Sequence, residues 1–296
     1  MHDLDPDGEF PDGGRRRAAV LGSPVAHSLS PLLHGAAYAA LGLEHWSYGR
    51  FEVDERGLAC FVARLGGRSG SEWAGLSLTM PLKRVVIPLL DGITGRAASV
   101  EAVNTVIRHS DGRLTGDNTD IPGMVEALRE RGVTRVESAT VLGAGATAAS
   151  AVAALAQICS GPVTVLARVP GRAAELRGWG ERLGVDVRTE RWEHADRSLS
   201  APLVISTTPK GAADCFAGAV PAAPGVLFDV VYDPWPTALA AAWAGRGGPV
   251  LGGLDLLVHQ AARQVELMTG CGRAPLAAMR AAGTAAPAAA AAAVAR

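Results

Sequence analysis

A glycine-rich turn between an apolar segment and an alanine-rich segment lies near the middle of this chain of 296 residues. The apolar segment, Thr140 to Leu142, is a predicted strand, and Gly143, Gly145 and Ala148 follow it in the pattern GxGxxA. The first glycine permits a tight turn, the second lets the backbone approach a pyrophosphate, and the small third residue lets a helix pack close to the strand. Amides at the helix N-terminus then face the phosphates. The motif predicts a nucleotide-binding domain, and a large block of chain before it is left for another role.

The motif by itself also fits an ordinary helix start, because a chain rich in alanine and glycine produces it by chance. A second apolar strand, Val163 to Ala167, follows at the spacing of a β-α-β unit. At its end a carboxylate would bind the ribose hydroxyl of NAD, but Arg168 and Arg172 stand there instead. A guanidinium presents planar donors suited to phosphate, so the pair predicts binding of the 2′-phosphate of NADP. Each arginine taken singly is equally compatible with an ordinary surface charge.

Length and composition favour a two-domain protein with a small-molecule partner. The hydrophobic content of 48% is enough for ordinary cores, and the net charge of −1 gives no basic surface for nucleic acid or an anionic membrane. The four cysteines have no spacing suited to zinc, so we predict no metal and a cytoplasmic protein with reduced thiols. Residues 1–14 resemble neither a signal peptide nor a membrane span and are predicted to be a disordered leader. Residues 281–296 form an alanine-rich tail of low complexity.

Strands and helices alternate through both halves of the chain, which predicts two α/β domains. Residues 15–121 are predicted to form a substrate-binding domain with a mixed sheet. Residues 122–253 are predicted to form a doubly wound, Rossmann-type cofactor domain. Its strands lie near Val141, Val163, Val185, Val204, Leu227 and Val250. The segment after Gly253 has apolar residues at helical spacing, and we expect residues 254–280 to pack back on the first domain and complete it.

Polar side chains follow the predicted strands of the first block. Ser28 and Ser30 come after the first strand, and two hydroxyls beside helix N-terminal amides suit a carboxylate ligand. Ser30 precedes Pro31, so an N-cap is its alternative role. Lys83 falls in the first turn of a predicted helix, where a cation opposes the helix dipole. This unfavourable placement indicates a function, with a solvated surface lysine as the alternative.

Two further polar residues emerge at strand ends of the same block. Asn104 lies in a strand of alternating apolar residues, and Asp120 directly precedes a helix predicted from about Pro122. N-capping is the alternative role for Asp120. If Lys83 and Asp120 converge across the top of the first domain, they form a hydrogen-bonded acid/base pair that faces the nicotinamide.

Seven motifs occur in the order HSLSP, SLTMPLK, VNT, GDNTDIPG, VLGAGA, DVVYDPWPT and GLDLLVHQ between Val20 and about Gly270. In this order they resemble the shikimate dehydrogenase family. The resemblance implies a reversible, NADPH-dependent reduction of 3-dehydroshikimate to shikimate, a step towards chorismate and the aromatic amino acids. We expect such an enzyme to be a monomer or a homodimer, without nucleic-acid or membrane partners.

The resemblance also implies site residues. Lys83 and Asp120 match the catalytic pair. The residues implied to bind the substrate are Ser28, Ser30, Ser77, Thr79, Asn104, Tyr232 and Gln260. Those implied to bind the cofactor are Gly143, Ala144, Gly145, Ala146, Thr147, Arg168, Arg172, Thr208, Val230 and Gly253.

The chain departs from the usual family pattern at a few positions. Ser77 stands where asparagine is common, which removes an amide donor to the substrate and shortens the reach, and Ala146 replaces the usual third glycine of the turn. A preference for quinate or an aminated shikimate analogue is therefore one alternative function. A non-catalytic ligand sensor is another, and it would predict the loss of Lys83 or Asp120, both of which are present.

Overall fold

The computed structural model describes residues 16–66, 72–168 and 172–294, and within these ranges the side chains of 173, 174 and 287–294 are not described. The predicted leader lies outside the described residues. The chain divides into two compact units, one made of Met1–Thr119 with Ala261–Arg296 and the other of Asp120–Gln260. Each unit has its own sheet.

The described part of the first unit contains a six-stranded mixed sheet, as predicted. Its strands are β1 (Arg16–Gly22), β2 (Trp46–Glu52), β3 (Trp73–Leu78), β4 (Gly92–Ile93), β5 (Thr105–Arg108) and β6 (Leu114–Asp117). Their order is β2-β1-β3-β5-β6-β4. The β1 strand pairs in parallel with β2 and β3, β4 pairs in parallel with β6, and β5 runs antiparallel to β3 and β6. The carboxyl ends of β1 and β3 and the start of β5 therefore lie at one edge of this sheet.

Helices cover the first sheet and supply the rest of its core. They are α1 (Ser30–Ala40), α2 (Glu55–Ala63), α3 (Leu82–Val85), α4 (Gly95–Val100), the second half of α10 (Gly253–Thr269) and α11 (Leu276–Val294). The Asp54 carboxylate accepts hydrogen bonds from the amides of Arg56 and Gly57, which caps α2. The alanine-rich segment continues α11 as far as Val294, and α11 packs against α1. The α1 helix begins at Ser30, one residue before Pro31.

The second unit contains a parallel six-stranded sheet in its described residues. Its strands are β7 (Ala139–Leu142), β8 (Val163–Ala167), β9 (Val187–Arg191), β10 (Leu203–Ser206), β11 (Val226–Asp229) and β12 (Val250–Leu251). The order is β12-β11-β10-β7-β8-β9, which is the doubly wound arrangement in which the strand order reverses between the first and fourth strands. The predicted Rossmann-type fold is confirmed. Its switch point lies between β7 and β10, where this class of sheet binds ligands.

The helices of the second unit are α5 (Asp120–Glu130), α6 (Ala146–Leu155), α7 (Ala173–Leu183), α8 (Ala195–Ser198), α9 (Ala238–Gly245) and the first half of α10. All residues of α6 from Ala148 to Leu155 are buried, because its small side chains let it lie close to the sheet. The α5 helix begins at Asp120 itself, earlier than the predicted start near Pro122. In the described part of the chain, no helix combines the length and apolar character that a membrane span requires.

Candidate active site

The loop after β1 carries the two serines predicted to bind a carboxylate. The backbone amide of Ser30 donates to Oγ of Ser28 at 3.3 Å. Ser30 is the first residue of α1 and Leu29 is its N-cap, so the alternative capping role of Ser30 is not found. Arg50 on β2, which the sequence analysis did not single out, donates from Nη1 to the carbonyl oxygens of Ala26 at 2.5 Å and Ser28 at 3.2 Å. The guanidinium thus fixes the serine loop and places a positive charge beside it.

Thr79 follows β3 and lies against the end of β1. Its amide donates to the carbonyl oxygen of Leu21 at 2.9 Å. The methyl group of Thr79 occupies the space that a Cβ atom on Gly22 would need. Only glycine at position 22 permits this close approach, which brings Thr79 to the edge of the sheet where the serine loop begins.

Lys83 and Asn104 are held together by the backbone of the first unit. The amide of Val103 donates to the carbonyl oxygen of Lys83 at 2.8 Å, and the amide of Leu78 donates to that of Asn104 at 2.8 Å. Lys83 is the second residue of α3 and half-buried, whereas Asn104 is 2% exposed. The strand pairing of β3 with β5 therefore places the amine-bearing helix directly beside the buried amide.

The carbonyl end of the Asn104 side chain is turned inward. Its Oδ1 accepts hydrogen bonds from Oγ1 of Thr105 at 2.8 Å and from the amide of Thr119 at 2.8 Å. Because an amide oxygen has two lone pairs, these bonds orient the side chain. Asn104 is one of the predicted substrate residues, and its orientation leaves the NH₂ group on the opposite side.

The segment that leads into Asp120 is fixed by a buried carboxylate, Asp117. Arg96 forms an ion pair with it at 2.6 Å, and Oγ1 of Thr94 donates to it at 2.7 Å. Burial raises the pKa of Asp117, but the hydrogen bonds from Arg96 and Thr94 outweigh burial and hold that pKa below its usual value. Asp117 thereby anchors the end of β6, three residues before Asp120.

Asp120 is the first residue of α5 and is buried at 5% exposure. It lies inside the helix rather than ahead of it, in the first turn, where the helix dipole favours a negative charge. Asp120 begins the second unit, and Thr119 ends the first. The pairing of Asp120 with Lys83 stays a prediction.

Ser77 belongs to a buried hydrogen-bonded cluster that the sequence analysis missed. The hydroxyl of Tyr48 donates to Oγ of Ser77 at 2.6 Å, and Ser77 donates to Oε1 of Gln264 at 2.7 Å. Nε2 of His34 lies 3.3 Å from the same oxygen, and the His34 ring stacks on Tyr48 with centroids 3.8 Å apart. Burial lowers the pKa of His34 to about 3, against a smaller opposing effect of Gln264, so the imidazole is neutral near pH 7. The apolar spacing of α10 gave no signal that Gln264 faces β3.

Gln260 lies one helical turn before Gln264 on α10. Its Nε2 donates to the carbonyl oxygen of Leu257 at 3.0 Å, and the side chain is 6% exposed. Gly123 on α5 contacts Gln260 so closely that a Cβ atom added to Gly123 would lie 3.0 Å from the backbone nitrogen of Gln260. Within the second unit, α5 and α10 therefore hold Gln260 on a tightly packed helix pair.

The glycine turn after β7 meets the end of β10 at the switch point. Gly143 has φ of +118°, and a Cβ atom there would lie 2.5 Å from Oγ1 of Thr207. Gly145 is the N-cap of α6 and has no side chain to bond the first amides of that helix, and a Cβ at Gly145 would meet nothing within 4 Å. The turn is thus an open cradle of backbone amides, as a pyrophosphate site requires. Ala144 lies in the same turn, and Ala146 and Thr147 are the first two residues of α6.

Thr207, the neighbour of the predicted cofactor residue Thr208, contacts this turn. Oγ1 of Thr207 donates to the carbonyl oxygen of Leu142 at 2.9 Å. Thr208 is buried, with its hydroxyl 3.3 Å from that of Ser206. The sequence analysis did not single out Thr207, and Thr208 stays a prediction.

The two arginines predicted to bind a 2′-phosphate differ in their surroundings. Nη1 of Arg172 donates to the carbonyl oxygen of Ala144 at 3.0 Å and lies 3.7 Å from Glu175. The guanidinium of Arg168 lies over the ring of Trp192, 5.9 Å from its centroid. Arg172 is therefore tied to the glycine turn itself, and Arg168 stacks at the end of the neighbouring strand.

The loop after β11 and the start of α10 approach each other at Val230 and Gly253. The amide of Gly253 donates to the carbonyl oxygen of Val231 at 3.1 Å, and a Cβ at Gly253 would collide with the Val230 carbonyl group. Asp229 shapes this loop by accepting hydrogen bonds from Oγ1 of Thr237 at 2.7 Å and from the amide of Val231 at 3.2 Å. Burial raises the pKa of Asp229, and the hydrogen bond from Thr237 opposes this rise. Tyr232, half-buried, follows in the same loop.

Among the residues with described positions, no group of three or more His, Cys, Asp or Glu side chains is arranged to hold a metal ion. The arrangement offers instead an amine beside a buried amide and serine hydroxyls in one unit, and a phosphate cradle with two arginines in the other. Such groups can bind an anionic, hydroxylated small molecule and a dinucleotide.

Comparison with known proteins gives consistent matches. The model of the shikimate dehydrogenase substrate-binding domain matches residues 20–106, and that of the shikimate 5′-dehydrogenase C-terminal domain matches residues 253–282. A curated relative, the shikimate dehydrogenase (NADP(+)) of Oleidesulfovibrio alaskensis, is 39% identical over 86% of this chain and 90% of its own length.

Two solved structures extend this likeness to the fold. The shikimate dehydrogenase of Mycobacterium tuberculosis is 43% identical with a TM-score of 0.83, over 91% of this chain and 99% of that one. The shikimate 5-dehydrogenase of Thermus thermophilus, in complex with NADP(H) and shikimate, is 34% identical with a TM-score of 0.78. The match covers 91% of this chain and 98% of that one.

Proposed function

The chain belongs to the shikimate dehydrogenase family, and we propose that it catalyses the reversible, NADPH-dependent reduction of 3-dehydroshikimate to shikimate. This reaction is a step towards chorismate and the aromatic amino acids. The proposal rests on one observation. Backbone hydrogen bonds bring Thr79, Lys83 and Asn104 together at one edge of the first sheet. The curated relative that carries the name of this activity covers most of the chain.

The second unit fits NADP as its cofactor. When bound, NADPH supplies the hydride that reduces the ring ketone. In this chain the amides of the turn at Gly143 and Gly145 would hold the pyrophosphate, and Arg168 and Arg172 would bind the 2′-phosphate through charge-assisted hydrogen bonds. The close approach of Val230 and Gly253 supports an assignment of these two backbones to the nicotinamide side. Thr208 stays a proposed cofactor residue, joined now by Thr207 at the turn.

The first unit supplies the groups for the substrate. The hydroxyls of Ser28 and Ser30 bind the carboxylate, and the positive charge of Arg50 beside their loop strengthens that binding. Ser77, Thr79 and Asn104 bind the ring hydroxyls. From the second unit, Gln260 and Tyr232 are proposed to contact the substrate as well.

Lys83 is the proposed proton donor to the oxygen of the ring ketone. As negative charge develops on that oxygen, the ammonium group stabilises it and transfers a proton, which contributes roughly 10² to 10⁴ in rate. Asp120 is the proposed partner of this amine, in the role of an acceptor that keeps the amine aimed at the substrate. In the oxidation of shikimate the same amine takes the proton back.

We propose a cytoplasmic enzyme that is a monomer or a homodimer. The four cysteines are all unpaired thiols, as expected in a reducing compartment.

An absorbance assay at the nicotinamide band, with shikimate and NADP+, tests substrate, cofactor and reaction together. We expect rapid reduction of NADP+ with shikimate and a much lower kcat/KM with NAD+. Quinate and aminoshikimate are assayed in parallel. A higher kcat/KM for quinate with NAD+ than for shikimate with NADP+ would contradict the proposed function.

A further inference from the structure

Gln264 is a buried amide on α10 that joins three elements of the first unit. Its side chain is 1% exposed. The oxygen Oε1 contacts Ser77 on β3 and His34 on α1, and the nitrogen Nε2 donates to Oγ1 of Thr105 on β5 at 3.1 Å and to the carbonyl oxygen of Asn104 at 3.5 Å. Two of the residues that it contacts, Ser77 and Asn104, are proposed to bind the substrate.

The direction of the hydrogen bond at Ser77 is fixed. A serine hydroxyl has one hydrogen to donate and two lone pairs that accept. The oxygen Oε1 of Gln264 can only accept, so the hydrogen of Ser77 is committed to Gln264 at 2.7 Å. The hydroxyl of Tyr48 donates to one lone pair of Ser77 at 2.6 Å. Towards a ligand, Ser77 can therefore only accept a hydrogen bond.

The other end of the Gln264 amide contributes to the orientation of the Asn104 side chain through Thr105. Oγ1 of Thr105 accepts from Nε2 of Gln264, and its own hydrogen is donated to Oδ1 of Asn104 at 2.8 Å. The amide of Thr119 donates to the same oxygen at 2.8 Å. With its oxygen used in this way, Asn104 presents its NH₂ group, a donor, on the other side.

We propose that Gln264 is a positioning residue that sets the hydrogen-bond polarity of the substrate site, with Ser77 as an acceptor and Asn104 as a donor. The proposal rests on the proposed function. Its consequence is selectivity for a substrate that donates a hydrogen to Ser77, as a ring hydroxyl or an ammonium group does. A carboxylate or ketone oxygen at that position would face a lone pair and be disfavoured.

Glutamate at position 264 distinguishes the acceptor role of the side-chain oxygen from the donor role of the side-chain nitrogen. An ionised carboxylate still accepts from Ser77 but has no hydrogen for Thr105, whose hydroxyl then turns towards the carboxylate. Asn104 thereby loses its hydrogen bond from Thr105 and keeps those from Thr119. A protonated carboxyl restores both directions. Burial disfavours the charged form of a carboxyl group, so Q264E should regain shikimate affinity as the pH falls. Glutamine has no such titration.

The experiment compares the wild-type protein with Q264E and Q264M. R263M serves as the control, because Arg263 lies next to Gln264 on the same helix but is exposed and paired with Glu266 at 2.9 Å. KM for shikimate and for NADP+ and the kcat are measured between pH 6 and 9. We expect Q264M to raise KM for shikimate about tenfold, as the loss of one or two buried hydrogen bonds implies, with KM for NADP+ within about twofold of the wild-type value. In Q264E, KM for shikimate should fall relative to the wild-type protein as the pH is lowered.

A second comparison uses S77A and the double variant S77A/Q264M. Because Gln264 acts partly through Ser77, its removal should raise KM less in the S77A background than in the wild-type background. The role of Gln264 would be overturned if KM for shikimate were equal in Q264M and R263M. It would also be overturned if the ratio of KM in Q264E to KM in the wild-type protein did not change with pH, or if the effects of S77A and Q264M on KM simply multiplied. Failure of the wild-type protein to oxidise shikimate would instead contradict the proposed function.

Discussion

Gly143 lies so close to Thr207 that a Cβ atom at position 143 would come within 2.5 Å of the threonine hydroxyl. The contact joins the ends of β7 and β10 at the switch point of the parallel sheet. It makes one glycine of the turn a structural requirement, while the other, Gly145, faces open space.

The two glycines should respond differently to alanine. We expect Gly143→Ala to lower the free energy of unfolding by about 1–3 kcal/mol, because φ of +118° and the contact with Thr207 both oppose a side chain. Gly145→Ala should leave the midpoint of thermal unfolding almost unchanged but raise KM for NADP+, since its methyl group enters the cradle. Calorimetry and initial rates measure both effects. The cradle assignment fails if Gly145→Ala binds NADP+ as the wild-type protein does.

Lys83→Ala should lower kcat by a factor on the order of 10² to 10⁴ with little change in the dissociation constant of shikimate. The physical reason is that the amine acts on charge that develops only in the transition state. Rapid kinetics and calorimetric titration with shikimate separate the two quantities. A variant with normal kcat and weakened shikimate binding would remove Lys83 from catalysis.

Arg168→Ala should weaken NADPH much more than NADH. A charge-assisted hydrogen bond to the 2′-phosphate contributes about 1.5–3 kcal/mol, so Kd for NADPH should rise roughly 10-fold to 100-fold. Fluorescence titration with both nucleotides provides the measurement. Similar losses for NADPH and NADH would show that Arg168 does not recognise the 2′-phosphate. Arg177→Ala is a suitable control, because Arg177 is an exposed arginine on the following helix, α7.

Stability should fall in mild acid because of His34. The pKa of this imidazole is lowered from 6.5 to about 3 in the folded protein, so only the unfolded chain takes up a proton between these values. The free energy of unfolding therefore decreases as pH falls from about 6.5 towards 3, with a slope of up to about 1.4 kcal/mol per pH unit from this residue. Denaturant titrations of the wild-type protein and of His34→Gln at several pH values test this. If the glutamine variant keeps the same slope, another group causes the acid sensitivity.

The sequence predicted the two α/β units and the nucleotide turn well, because their signals are local. The GxGxxA pattern specifies its own backbone geometry, and apolar runs such as Val163 to Ala167 mark buried parallel strands. The short β4 strand and the α4 helix were missed. Both are brief elements, and β4 is stabilised by pairing with β6, which lies more than 20 residues further along the chain, so that no local pattern encodes it.

Residues that act through distant contacts were the ones that sequence reasoning did not find. Arg50, Tyr48 and Gln264 stand in segments whose spacing marks them only as strand or helix positions. Their importance follows from strand register, which sets Arg50 beside the loop after β1, and from the face of α10 that meets β3. Thr207 was missed for the same reason, because its contact with the glycine turn depends on β10 lying beside β7 in the sheet.

The chain leaves the first unit after Thr119 and rejoins it at Ala261, in the middle of α10. During synthesis on the ribosome, every residue of the second unit therefore emerges before the segment that completes the first. Gln264, which connects β3 to β5, is synthesised after the last strand of both sheets, β12. The unit whose synthesis begins first is thus the last to acquire its full set of contacts. Premature termination after Gln260 would leave the second unit complete and the first unit without its C-terminal segment.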